Sequence, residues 1–282
     1  MRIVRALVLL VLSLPISDVT LRGQTPDAAR VLAAAREALG GEKNLSAVRT
    51  FVALGRTRQI RGNNLVPIEF EISCELPDKF VRKDEIPAQD TDLTVSGFRG
   101  DELIQFPPPQ GRQAGPGARG GPPVNPAQQR LTTIKQEFTR LTLGVFAGSL
   151  PTYPVTFKYA AEGDAPEGKA DVLDVTGPAN FSVRFVVQRD THLPVMLMWQ
   201  AMPGPAGGRG PGGAPPPDPP AAGAPPKPVD NRVYYADYRT VDGIKWPFRI
   251  RRAVAGTTIE ETTFDRVSVN VKIDPRKFEA PK

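Results

Sequence analysis

The chain has 282 residues, 40% of them hydrophobic, with 36 Lys and Arg against 30 Asp and Glu, a formal charge of +6, one cysteine and one histidine. That length supplies one sizeable core or two small ones. The lone cysteine excludes an intrachain disulfide framework and the lone histidine a histidine-based metal cluster, while the mild positive excess suits anionic lipid head groups without being a nucleic-acid footprint.

Arg2 and Arg5 precede an apolar run from Ala6 to Ile16 that turns polar at Ser17 and Asp18. This reads as a signal peptide over residues 1–24, because the run has only about half the roughly 20 apolar residues a membrane span needs and contains Pro15. Cleavage between Ser17 and Gln24 starts the mature chain near Thr25, and losing Arg2, Arg5, Arg22 and Asp18 takes the charge from +6 to +4. The expected location is the periplasm, as an exported, soluble protein.

Thr25, Pro26 and Asp27 form a helix start, with Ala28, Val31, Leu32, Ala35 and Leu39 as one apolar stripe up to Gly40 and Gly41. A second short helical turn carries Leu45 and Val48 into the first strand. From Phe51 the apolar period drops to 2: Ile68, Phe70 and Ile72; Val155, Phe157 and Tyr159; Phe181, Val183, Phe185 and Val187; Val267, Val269, Val271 and Ile273. Further strands are expected near 51–60, 79–84, 91–97, 102–106, 170–176, 194–200, 231–239, 246–252 and 257–264. Turn residues such as Arg99-Gly100-Asp101 and Asp242-Gly243 make neighbouring strands antiparallel. Cys74 continues the Ile68 alternation and reads as a small buried hydrophobe.

Residues 107–124 and 203–228 are dominated by Pro and Gly, cannot bury enough apolar surface to offset chain entropy, and are expected to be disordered loops. After the first, Asn125 caps and Pro126 begins a helix over 126–142 with Leu131, Ile134, Phe138 and Leu141 as its stripe. The mature chain, 25–282, is thus a single mainly β domain with two helices. About a dozen strands present more apolar face than two helices cover. Three outcomes remain open: the sheet fills itself, it pairs with another chain, or it leaves a cavity for an apolar ligand.

The residues argue against catalysis. His192 stands in a turn before Leu193 and Pro194, no G-x-S-x-G or phosphate-binding loop is present, and Glu260 and Glu261 are adjacent and so point to opposite faces of a strand. No cofactor, metal or nucleic acid is expected.

Three stretches resemble the bacterial periplasmic proteins of the outer-membrane lipoprotein carrier group, LolA, LolB and LppX-like: Ala38-Leu39-Gly40-Gly41-Glu42 leading through Leu45 and Val48; Val187 to Pro194; and Asp237 to Pro247, followed by Asn270 to Pro275 and Phe278. The resemblance implies a strongly curved antiparallel sheet, an unclosed half-barrel, with the helices covering its concave face. It also implies a non-catalytic carrier of a lipid or of the acyl chain of a lipoprotein. No binding residue is carried over from the family. Phe70, Ile72, Phe157, Phe181, Phe185 and Trp199 are the candidate lining residues because they are large and alternate. The alternative is an envelope interaction module that engages partners, including membrane-surface components, through its Pro/Gly-rich loops.

Overall fold

The computed structural model describes residues 27–62, 64–87, 93–108, 125–202 and 227–280. The signal peptide, Thr25-Pro26 and nearly all of the two Pro/Gly segments lie outside the described residues.

Helix α1 (Ala28–Ala38) starts two residues later than the sequence suggests, because Asp27 takes the cap: its carboxylate accepts from the Arg30 N–H at 2.7 Å. Val31, Ala35 and Leu39 are buried, as the stripe requires. Gly40, with φ at 131°, lets the chain turn into α2 (Glu42–Ala47) directly against another turn, since a Cβ there would run into the Gly243 carbonyl. The Lys245 N–H donates to the Leu39 carbonyl at 2.7 Å and the Asn44 amide to the Gly243 carbonyl at 3.3 Å, so the helical opening is locked to the Asp242-Gly243 hairpin.

Strands β1 (Thr50–Arg61), β2 (Asn64–Glu75), β3 (Lys79–Glu85), β4 (Thr94–Arg99) and β5 (Glu102–Phe106) make one antiparallel meander. A second follows from β6 (Thr156–Ala165), β7 (Gly168–Gly177), β8 (Phe181–Gln188) and β9 (Pro194–Ala201) to β10 (Val229–Val241), β11 (Ile244–Val254) and β12 (Thr257–Val269). Pairing of β1 with β12 fuses them into a single 12-stranded sheet whose outer strands are β5 and β6. It is an unclosed half-barrel.

Helix α3 (Pro126–Phe146) connects those two outer strands and touches β4 and β5 from one meander and β9 and β11 from the other. Laid flat, the sheet would hold β4 and β9, seven spacings apart in the strand order, about 34 Å from one another, yet Ser96 of β4 and Trp199 of β9 line the same cavity. The sheet is therefore curled, and α3 runs inside the curl.

One stretch departs from the sequence reading. Residues 257–264 and 267–273, taken as two segments because their apolar phase slips, form one strand to Val269 with a bulge: Leu54 faces Arg266 and Gly55 faces Phe264, leaving Asp265 as the extra residue. Phe264, Val267 and Val269 are consequently all buried on the same side despite the odd spacing. Val271 and Ile273 lie beyond the strand, past Asn270 with φ at 55°, and Ile273 packs with Phe278, Val81, Val95 and Ile104 on the convex face.

The main core occupies the concave side. Phe51, Trp246, Phe264 and Phe70 stack edge-on in sequence, with ring centroids 5.0, 5.9 and 5.4 Å apart. Phe138 of α3 stands 4.9 Å from Phe80 and 5.4 Å from Phe98. Much of the apolar surface that outruns the helices is thus covered by the sheet's own rings. Cys74 is fully buried, and burial pushes its thiol well above its ordinary value.

The candidate site, a cavity beneath helix α3

Helix α3 begins at Asn125, whose side chain accepts from the Ala127 N–H at 3.0 Å, with Pro126 in the first turn. Leu131, Ile134 and Phe138 are buried and Leu141 half-buried, the four-residue stripe the sequence shows. Buried Thr139 and Thr142 return their hydroxyls to the carbonyls of Lys135 (2.8 Å) and Thr139 (3.1 Å), so neither leaves a donor unmet. At mid-length the helix is held by Lys135, whose ammonium lies 2.7 Å from Asp101.

Its far half lies on β10. Gly144 rests against the Tyr235 ring, the Tyr235 hydroxyl donates to the Arg140 carbonyl, and the Tyr238 hydroxyl lies 2.8 Å from the Gly144 carbonyl and 2.9 Å from that of Pro194. Burial raises both phenols well above their ordinary value, so they stay protonated donors to the helix.

Between these attachments lies a cavity of about 150 Å³. Its apolar wall includes Ile72, Phe80, Ile134, Leu141, Val233 and Phe264. A space of that size accepts a benzene-sized body. It is smaller than the roughly 300 Å³ at which ordinary ligand pockets begin.

The rest of the lining is largely polar. Arg82, Arg140, Arg252, Glu137, Glu260 and Thr262 all face the cavity. Thr57 and Thr262 share a hydroxyl bond at 2.9 Å, Gln59 reaches Glu260 at 3.5 Å, and Arg252 stands 3.9 Å from the same carboxylate. Arg82 binds Asp84 at 2.7 Å and Thr57 at 3.1 Å, and its guanidinium lies 4.5 Å over the Phe70 ring. Burial works to lower the Arg82 guanidinium, but Asp84 and Glu260 outweigh it and hold it above its ordinary value. Arg140 differs. Its guanidinium stacks 4.3 Å from the Trp199 ring and 5.3 Å from Phe181, its Nε is buried without an acceptor, and burial pushes it down to about 10.

The six candidate lining residues separate. Ile72 and Trp199 line this cavity. Phe70, Phe181 and Phe185 are buried in the surrounding core and Phe157 is half-buried against it, outside the lining. Trp199 also borders a wider surface groove of about 650 Å³ over β7 to β10, among Asp174, Arg184, Asp230 and Arg232. The polar part of the lining has no counterpart in the apolar alternation that picks out the six. Glu260 and Thr262 keep step with Phe264 in β12, and Arg140 follows Phe138 by two positions on α3. Glu260 is buried and Glu261 exposed, as expected of neighbours in a strand, and His192 is exposed in the β8–β9 turn.

The closest sense of this architecture comes from solved structures. A LolA superfamily protein from Nitrosomonas europaea superposes with a TM-score of 0.53 at 12% identity, over 90% of this chain and 98% of that one. The fold is LolA-like. A domain named for outer-membrane lipoprotein sorting from Vibrio parahaemolyticus gives 0.49 at 9% identity, over 89% of this chain and 97% of that one. A DUF1329 family protein from Desulfovibrio piger gives 0.46 at 8%, over 90% and 98%. No protein-family signature matches the sequence. No curated protein matches it either. The likeness therefore lies in the fold, as the resemblance of the three sequence stretches implied.

Proposed function

We propose that this chain is a non-catalytic, exported carrier or binding protein that holds an apolar chain, belonging to a lipid or a lipidated protein, beneath α3. The observation that carries this reading is the cavity itself: a recess with apolar and charged lining inside a LolA-like half-barrel, roofed by a helix that is attached at Lys135 and at Gly144. Burial of a hydrocarbon there is worth about 0.8 kcal/mol per methylene. At about 150 Å³ the recess takes the end of a chain, and a longer stretch requires α3 to lift from the Phe80 and Phe98 rings. A periplasmic location fits the amino-terminal pattern and the company of this fold, and no described helix is long and apolar enough to cross a membrane.

The test is titration calorimetry with toluene, a neutral apolar probe that matches the roughly 150 Å³ recess. Saturable binding of one probe per chain is expected, weakened at least tenfold in Val233→Phe and Leu141→Phe, which fill the recess. Equal binding in these variants, or none to the wild type, overturns the proposal.

A further inference from the structure

Arg140 is the one cation of the cavity wall that the fold leaves without an anion. Among the described residues Arg82 is paired with Asp84 and Arg252 lies beside Glu260, whereas no carboxylate forms an ion pair with Arg140. Glu137, three residues earlier on α3, acts on it only through space. Its Nε has no acceptor, and the guanidinium lies over the Trp199 and Phe181 rings. A buried guanidinium donor without a partner is costly. Two ring faces fix its orientation but accept no hydrogen bond in its plane.

The polar and apolar parts are also adjacent. Arg140 and Trp199 are half-buried, as are Arg82, Glu137 and Arg252, while Ile72, Phe80, Ile134 and Phe264 of the same lining are buried. A molecule entering past Arg140 would place its leading apolar end among those four side chains and its trailing end at the guanidinium.

The geometry points to a single-chain amphiphile with an anionic head, a carboxylate or a phosphate monoester, as the ligand class of this cavity, with Arg140 as the residue that binds the head. This rests on the carrier reading above and narrows it. A fork of N–H donors suits either oxyanion. The volume of about 150 Å³ admits one chain end and excludes the packed tails of a diacyl or triacyl lipid. Occupation supplies the acceptor that Nε lacks, and burial, which pushes Arg140 down to about 10, still leaves it charged at neutral pH to meet the head.

The experiment compares octanoate, octyl phosphate, octanol and inorganic phosphate by titration calorimetry on the full mature chain, in the wild type, Arg140→Gln and Arg140→Lys. Octanoate or octyl phosphate is expected to bind the wild type at least tenfold more tightly than octanol, and the ratio of the two says which head is preferred. Arg140→Gln should lose that advantage while keeping its octanol affinity, which also shows that the variant is folded. Arg140→Lys should restore part of it. Equal affinity for octanol and octanoate, unchanged in Arg140→Gln, overturns the head-group assignment and leaves the carrier reading standing. Binding of inorganic phosphate as tight as octyl phosphate overturns the amphiphile class. No binding of any octyl compound removes the carrier reading and this inference with it.

Discussion

Gly144 of α3 lies against the ring of Tyr235 on β10, where a Cβ would stand 2.5 Å from Tyr235 Cε1. The close approach lets the helix backbone reach the strand, and the hydroxyl of the same tyrosine then meets the Arg140 carbonyl one turn earlier. Alanine at position 144 gains about 1 kcal/mol of helix propensity but must displace a buried ring, at roughly 1 to 3 kcal/mol. Gly144→Ala is expected to destabilise slightly and Gly144→Val by about 2 kcal/mol, read as a lower urea midpoint with unchanged slope. An unchanged midpoint in Gly144→Val would show that α3 does not need this approach.

Tyr235→Phe keeps the ring and removes the donor to the Arg140 carbonyl. The expected cost is about 1 kcal/mol. The same group sets an alkaline limit on stability. Burial raises the Tyr235 and Tyr238 phenols and the Cys74 thiol in the folded chain. The folded state therefore holds protons that the unfolded state has already released. Their contribution is fully present below the unfolded values of roughly 8.5 for the thiol and 10 for the phenols, and is lost as pH climbs through that window. Unfolding free energy should fall above about pH 9, with a shallower fall in Tyr235→Phe.

Phe138 is the ring that couples α3 to β3 and β4. Phe138→Ala should cost about 3 to 5 kcal/mol, whereas Phe157→Ala, at a half-buried position of the outer strand β6, should cost less than half of that. Chemical denaturation of the two variants side by side checks the order.

The Cys74 sulfur is wholly enclosed. A thiol reagent such as Ellman's should leave the native chain unmodified near about pH 8 and titrate one thiol in denaturant. Rapid native labelling would mean that β2 opens locally.

Period and turn chemistry carried most of the architecture. The alternation Ile68, Phe70, Ile72 and the Asn125-Pro126 start translate directly into β2 and α3, because each reports a local geometry. The β12 bulge was not legible as such, since one extra residue at Asp265 looks like the end of one strand and the start of another. The cavity was less legible still. Ile72 and Trp199 were found by size and alternation, but Phe70, Phe181 and Phe185 share those properties and serve the core. Arg140 and Glu137 come from a helix and Arg82, Arg252 and Glu260 from three separate strands, so only the closed curl brings their charges together. No spacing along the chain encodes that meeting.

The most direct measurement of the central claim is native mass spectrometry of the mature chain, first stripped of lipid and then incubated with a lipid extract of its own envelope. A species carrying one acyl-bearing molecule per chain is expected, lost when Val233→Phe fills the recess. A bare-chain mass after incubation, or the same adducts on Val233→Phe, would contradict it.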